Sequence, residues 1–177
     1  MTIEVRLTSE EWILLRQHLF QNSKEHAAFA FCKLARGDDG VALVSEDLYL
    51  AVRSDFELQL EYHITLSDET LARLIKKAWD HDHCIVEFHS HPKSPGGVSF
   101  SPSDLDGLAD VVPYIGWRLR GRPYAAVVVG LKEIDALAWV DDFTVPQRLD
   151  VVRVGNDKLL PSQITISELE GDYGEIQ

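Results

Sequence analysis

Between Cys84 and Asp106 the chain reads CIVEFHSHPKSPGGVSFSPSDLD, gathering two imidazoles and a carboxylate at a spacing that suits metal chemistry. Ile85 to Phe88, interrupted only by Glu87, has the make-up of a buried strand. It delivers His89 and His91 to its end, where Pro92 and a Pro/Gly/Ser loop stop further pairing. Side chains alternate along a strand, so H-x-H puts both rings on one face, close enough to share one cation. Ser101 and Pro102 then read as the N-cap and first residue of a helix, with Asp104 in its first turn. The loop over residues 92–100 is long enough to fold that helix start back over the histidines. Two imidazoles and a carboxylate leave a fourth tetrahedral position open, the pattern of catalytic rather than structural zinc. A water held there has its pKa lowered to roughly 7, which supplies hydroxide at neutral pH. Each part alone has a plainer reading. H-x-H pairs occur by chance on surfaces, and S-x-x-D is what any helix start favours, a capping serine with an acid near the positive end of the dipole. The combination in this order carries the metal reading.

The elements that must position these residues follow from periodicity. Ile3 to Leu7 alternates as a strand, and Thr8-x-x-Glu11 opens a helix as a capping box. Trp12, Leu15, Leu19 and Phe20 give that helix a core face, which Ile13 and Leu14 are expected to widen. Glu25 to Ala35 reads as a buried strand, and Gly37 to Gly40 as the hairpin turn into a strand over 41–52. A further strand is expected over Leu58 to Leu66. Ser67 then caps an amphipathic helix bearing Leu71, Leu74, Ile75, Ala78 and Trp79. His81 and His83, a second H-x-H, fall at its C-terminus, where cationic side chains suit the dipole, and are expected to be structural. After the histidine loop come a helix from Pro102 to about Val112, strands at Pro123–Gly130 and Ala136–Val140, and a last strand over Arg148–Val154. Up to Val140 the order β-α-β-β-β-α-β-α-β-β predicts an α+β fold, arranged as an α-β-α sandwich.

With 177 residues, 45% of them hydrophobic, the chain suits one domain, expected over residues 1–155. Beyond Gly155 it turns acidic and polar, so 156–177 is expected to be a mobile tail. No apolar run approaches the length of a membrane span, and MTIEVRLTSEEW lacks the basic start and apolar core of a secretory signal. Two cysteines, Cys32 and Cys84, make no disulfide framework and read as buried thiols, so the cytoplasm is expected. A net charge of −12 argues against a nucleic-acid partner. Arg118, Arg120 and Arg122 form one small basic cluster around a turn, a solvated loop or a seat for an acidic protein.

His89-Ser90-His91-Pro92 followed by Ser101-x-x-Asp104 resembles the signature of the JAMM (MPN-type) zinc metalloproteases, in which a distant glutamate precedes H-[ST]-H-P and S-x-x-D. The family's spacing is shorter than the eight residues, Lys93 to Phe100, that stand here before the serine. Ser103 and Asp106 also stand three apart, but Asp104 lies nearer the first helical turn. The resemblance spans roughly residues 3–142 in element order and implies a mixed curved sheet flanked by helices. It implies Zn2+ on His89, His91 and Asp104, with Glu25, at the start of its strand, as the proton carrier and Ser101 as oxyanion donor. On local geometry alone Glu87 competes with Glu25, since it shares a strand face with His89 at roughly 7 Å; the family pattern favours Glu25. The implied reaction is cleavage after the C-terminal glycine of a ubiquitin-like protein, by deconjugation or precursor processing. The compact bacterial members that the chain resembles occur in anti-phage operons beside E1- and E2-like enzymes. A processing peptidase for a sulfur-carrier or phage-tail protein and a non-catalytic MPN scaffold are the other readings; the complete ligand set disfavours the scaffold. Gly96 and Gly97 are expected to let the loop backbone approach a substrate, with Val98 and Phe100 walling a groove that admits small residues.

Overall fold

The computed structural model describes residues 1–94 and 97–174, so Gly96, expected in the substrate groove, lies outside the described residues. β1 (Thr2–Leu7) leads into α1 (Ser9–Leu19), which starts on the Thr8/Glu11 capping box. Leu15 and Leu19 are fully buried under α1, whereas Ile13 and Leu14 are 56% and 52% exposed. The widened core face is not formed, because these two fall roughly 160° and 100° around the helix from Leu15. β2 (Ala27–Gly37) and β3 (Gly40–Leu50) make the expected hairpin. Where one strand was expected over 58–66, the chain folds back on itself. β4 (Phe56–Gln59) and β5 (Ile64–Leu66) form a separate two-stranded sheet, turned by the Leu60 N–H donating to His63 O at 2.8 Å. Then come α2 (Asp68–Asp80), capped by Ser67, and β6 (Cys84–Ser90), the strand that carries the histidines.

α3 (Pro102–Arg118) runs more than a turn and a half past the end expected at about Val112, through Pro113. Proline removes one helical hydrogen bond, but Ile115 and Gly116 stay buried beyond it, and a Cβ at Gly116 would overlap the Phe143 ring. Tertiary burial outweighs the local break. β7 (Tyr124–Val129), β8 (Ile134–Trp139), β9 (Gln147–Arg148) and β10 (Val151–Val154) follow. The segment expected to be a mobile tail instead contributes β11 (Asp157–Leu159), antiparallel to β10, and α4 (Ile164–Gly174). Its acidic composition concealed two inward-facing residues, Thr165 and Ile166, which are 1% and 2% exposed.

Nine strands form one mixed sheet in the order β11-β10-β1-β3-β2-β6-β7-β8-β9. β1 is parallel to both of its neighbours and β6 is parallel to β7. One face packs on α1 through Val5, Ala28, Ala30, Val86 and Phe88. The other packs Phe29, Phe31, Ile85 and Tyr124 against α2, α3 and Ile166 of α4. The architecture is thus α+β, with helices on both faces of a mixed sheet. Strand alternation sends Ile85, Glu87 and His89 of the central β6 toward α2 and α3. No described helix is long and apolar enough to cross a membrane.

Candidate metal centre

The site is assembled where β6 ends. Register pairs His89 with Ala27 of β2, so the residues just ahead of β2 lie beside the strand end. Ser90 locks this junction: its N–H donates to His26 O at 3.0 Å, and its Oγ accepts from His26 N–H at 3.0 Å. Glu25 is fixed from the β4–β5 hairpin, its N–H donating to Leu60 O (3.0 Å) while Gln59 Nε2 donates to Glu25 O (3.0 Å). His91 extends alongside β7, its N–H donating to Val129 O at 3.0 Å. Asp104 arrives on the first turn of α3 through a full capping box: Ser101 Oγ accepts from Asp104 N–H (3.1 Å), and Ser101 N–H donates to Asp104 Oδ2 (2.7 Å).

These pieces converge. Asp104 Oδ2 lies 3.5 Å from His89 Nε2 and 3.2 Å from His91 Nε2, and Glu25 Oε1 lies 3.6 Å from His91 Nε2. Among the described residues, His89, His91 and Asp104 are the one group of three side chains whose ligand atoms, all within 4.8 Å of each other, could hold a metal ion. The donor set fits zinc. Bonds of 2.0–2.2 Å in a tetrahedron separate ligand atoms by roughly 3.3 Å, which matches the 3.2 and 3.5 Å found here. His89 Nε2 and Glu25 Oε2 are buried with no hydrogen-bond partner, as atoms facing a cation and its bound water would be.

The electrostatics agree. Burial opposes a charged His89 ring, yet Asp104 and Glu87 raise it to about 10, so the carboxylates around it call for positive charge. Burial by itself would raise Asp104, but His89, His91 and the Ser101 N–H hold it well below the usual carboxylate range. Burial pushes the Glu25 carboxyl up to about 7; the His89 charge opposes this and the Asp104 charge adds to it.

Glu25 and Glu87 occupy opposite sides of the histidines. Glu25 faces the Nε2 edge shared with Asp104, whereas Glu87 Oε1 stands 3.8 Å from His89 Nδ1 and its Oε2 accepts from the Tyr124 hydroxyl. A carboxylate behind a ligating imidazole orients the ring and fixes its tautomer. Neither the reach of Tyr124 nor the Gln59 and Ser90 clamps could be read from the sequence, since each spans strands far apart in the chain.

Among the described residues of the loop, Val98 and Phe100 do not wall an open groove. Val98 and Phe100 are 1% and 5% exposed, and a Cβ on Gly97 would stand 3.1 Å from Ile164 Cδ1, so α4 covers this stretch. Ser162 Oγ donates to Val98 O (3.3 Å), and Phe100 N–H donates to Thr165 Oγ1 (3.1 Å). Thr165 is in turn held by the fully buried Asp135, whose Oδ2 accepts from Thr165 Oγ1 at 2.6 Å and from Thr165 N–H at 2.9 Å. The Phe100 ring then stands edge-on to His89, 5.6 Å between centroids. A cavity of about 410 Å³ lies between the β4–β5 hairpin, α2 and α3, with His89 and Asp104 among its lining residues.

The second histidine pair takes no part. His83 contacts Glu46 Oε2 at 2.9 Å, His81 Nδ1 contacts Lys77 O at 3.0 Å, and the two rings stack. Cys32 and Cys84 are buried free thiols, and Arg120 and Arg122 lie over the Trp79 ring. Compared with protein-family models and with curated proteins, the chain matches none.

Proposed function

We propose that the chain is a zinc-dependent peptidase of the JAMM type that cuts an amide or isopeptide bond after the C-terminal glycine of a ubiquitin-like protein. The observation that carries this reading is the convergence of Glu25, His89, His91 and Asp104 from three separate elements onto one point, with the Glu25 and His89 atoms left unpartnered. His89 Nε2, His91 Nε2 and an Asp104 oxygen would hold the ion. When bound, zinc supplies Lewis acidity and a water acidic enough to attack near neutral pH.

The remaining chemistry belongs to the protein. Glu25, held near 7 by burial, can accept a proton from the attacking water and return it to the leaving amine. Ser101 uses its Oγ lone pair to cap α3, which leaves its own O–H free to donate to the oxygen that gains negative charge. Glu87 and Tyr124 steady the His89 ring from behind. The preference for glycine rests on the resemblance, since Val98 and Phe100 are occupied in the core. Processing of a sulfur-carrier or phage-tail precursor would use the same residues, and a scaffold role would leave the full ligand set without purpose.

A ubiquitin-like protein fused through its C-terminal glycine to a reporter tests the reading, beside a version with that glycine changed to leucine. Cleavage of the first alone is expected. Equal cleavage of both, or of neither while an unfolded peptide is cut, leaves a general peptidase.

A further inference from the structure

The cavity beside the metal ligands has a chemistry of its own. Its walls are apolar, from Phe29, Leu66, Leu71, Leu74, Val111 and Ile115. Its lining includes Glu87, which Tyr124 and His89 already engage, and Asp68 on α2 and Asp110 on α3, both exposed. No lysine or arginine lines it. Among the described residues neither Asp68 nor Asp110 makes an ion pair, and the nearby cations of α2 are engaged elsewhere, Arg73 with Asp55 and Lys76 with Asp80.

Resting on the peptidase reading, we propose that this cavity is a specificity subsite for a long basic side chain, arginine or lysine, of the peptide being cut. Apolar walls with two unpaired aspartates at the exposed rim suit a side chain that has an aliphatic stem and a cationic head. A leucine would fill part of the space and leave Asp68 and Asp110 without a partner. An acidic side chain would be repelled. At about 410 Å³ the cavity is roomy enough for a whole extended side chain. Because His89 and Asp104 belong to both the cavity and the metal group, the side chain must come from a residue within one or two positions of the cut bond, at about 3.3 Å per residue of extended peptide.

Binding can be measured without turnover. Metal-free protein is titrated with N-acetyl-arginine amide, N-acetyl-leucine amide and N-acetyl-glutamate amide and followed by NMR shifts. Two variants accompany it. Asp68→Asn/Asp110→Asn removes rim charge, and Gly107→Phe fills the cavity from α3, where a Cβ meets nothing within 4 Å. The arginine amide should bind about tenfold more tightly than the leucine amide, with shifts on α2, α3 and β6. The double variant should erase that preference, and Gly107→Phe should block both ligands. Equal binding of the arginine and leucine amides, or a preference untouched by both variants, overturns the subsite. Arginine binding in a protein that cuts no peptide leaves the subsite standing and removes the peptidase reading. Cleavage without any arginine preference removes the subsite alone.

Discussion

Thr165→Val should damage the protein well beyond what a hydroxyl-to-methyl exchange near the C-terminus would suggest. Thr165 is 1% exposed, and its Oγ1 both donates to Asp135 Oδ2 at 2.6 Å and accepts from Phe100 N–H at 3.1 Å. A hydrogen bond to a charged group contributes about 1.5–3 kcal/mol, and a buried N–H left without a partner costs about 1–3 kcal/mol. The two losses share one atom, so their sum is about 2–4 kcal/mol. For a chain of this length each kcal/mol moves the melting temperature by about 2–4 °C, which predicts a fall of about 5–15 °C. The effect should reach the metal centre. Phe100 precedes Ser101, whose N–H holds Asp104 Oδ2, and its ring abuts His89, so zinc affinity should fall with stability. Thermal unfolding by circular dichroism, in chelator and in zinc, reads both effects. Thr165→Ser keeps both hydrogen bonds and should recover most of each. A valine variant within about 0.5 kcal/mol of the parent, or a serine variant equally impaired, would refute the role given to this residue.

Other expectations follow from the same geometry. Glu25→Gln should keep zinc and the fold while lowering turnover about 10²- to 10⁴-fold, whereas Glu87→Gln, on the far side of His89, should be milder; the reverse ranking in steady-state rates would exchange their roles. Burial alone would raise the Asp55 carboxyl, but the Val52 N–H, Tyr49, Thr70 and Arg73 hold it below its ordinary 3.8. A lowered folded value stabilises above the unfolded pKa and is lost as pH falls below 3.8, so Asp55→Asn should flatten the acid limb of the stability–pH curve measured by urea unfolding. Burial pushes the Cys84 thiol up to about 12 and raises Cys32 further from reactivity, so mass spectrometry should find neither alkylated in the native protein at pH 8 and both alkylated in denaturant.

Local pattern revealed much of the fold and the ligands of the candidate site. Ile85, Glu87 and His89 were legible on one strand face, and Ser101-x-x-Asp104 as a helix start, because alternation and capping are set by neighbours in sequence. Long-range partnership was not legible. The helix from Pro102 was expected to end at about Val112 because the burial of Ile115 and Gly116 lies outside any local window. The acidic segment after Gly155 read as a tail because Thr165 finds its acceptor on Asp135, thirty positions earlier. That same contact ties Phe100 into the core instead of a groove wall, which no spacing of residues 92–100 could announce.

The most direct measurement is calorimetric titration of zinc into chelator-stripped protein, comparing the parent with His91→Ala, Asp104→Asn and Glu25→Gln. One zinc per chain is expected for the parent and for Glu25→Gln, with binding lost in His91→Ala and weakened at least tenfold in Asp104→Asn. Zinc bound equally by all four proteins, or by none of them, would contradict a metal centre built on His89, His91 and Asp104.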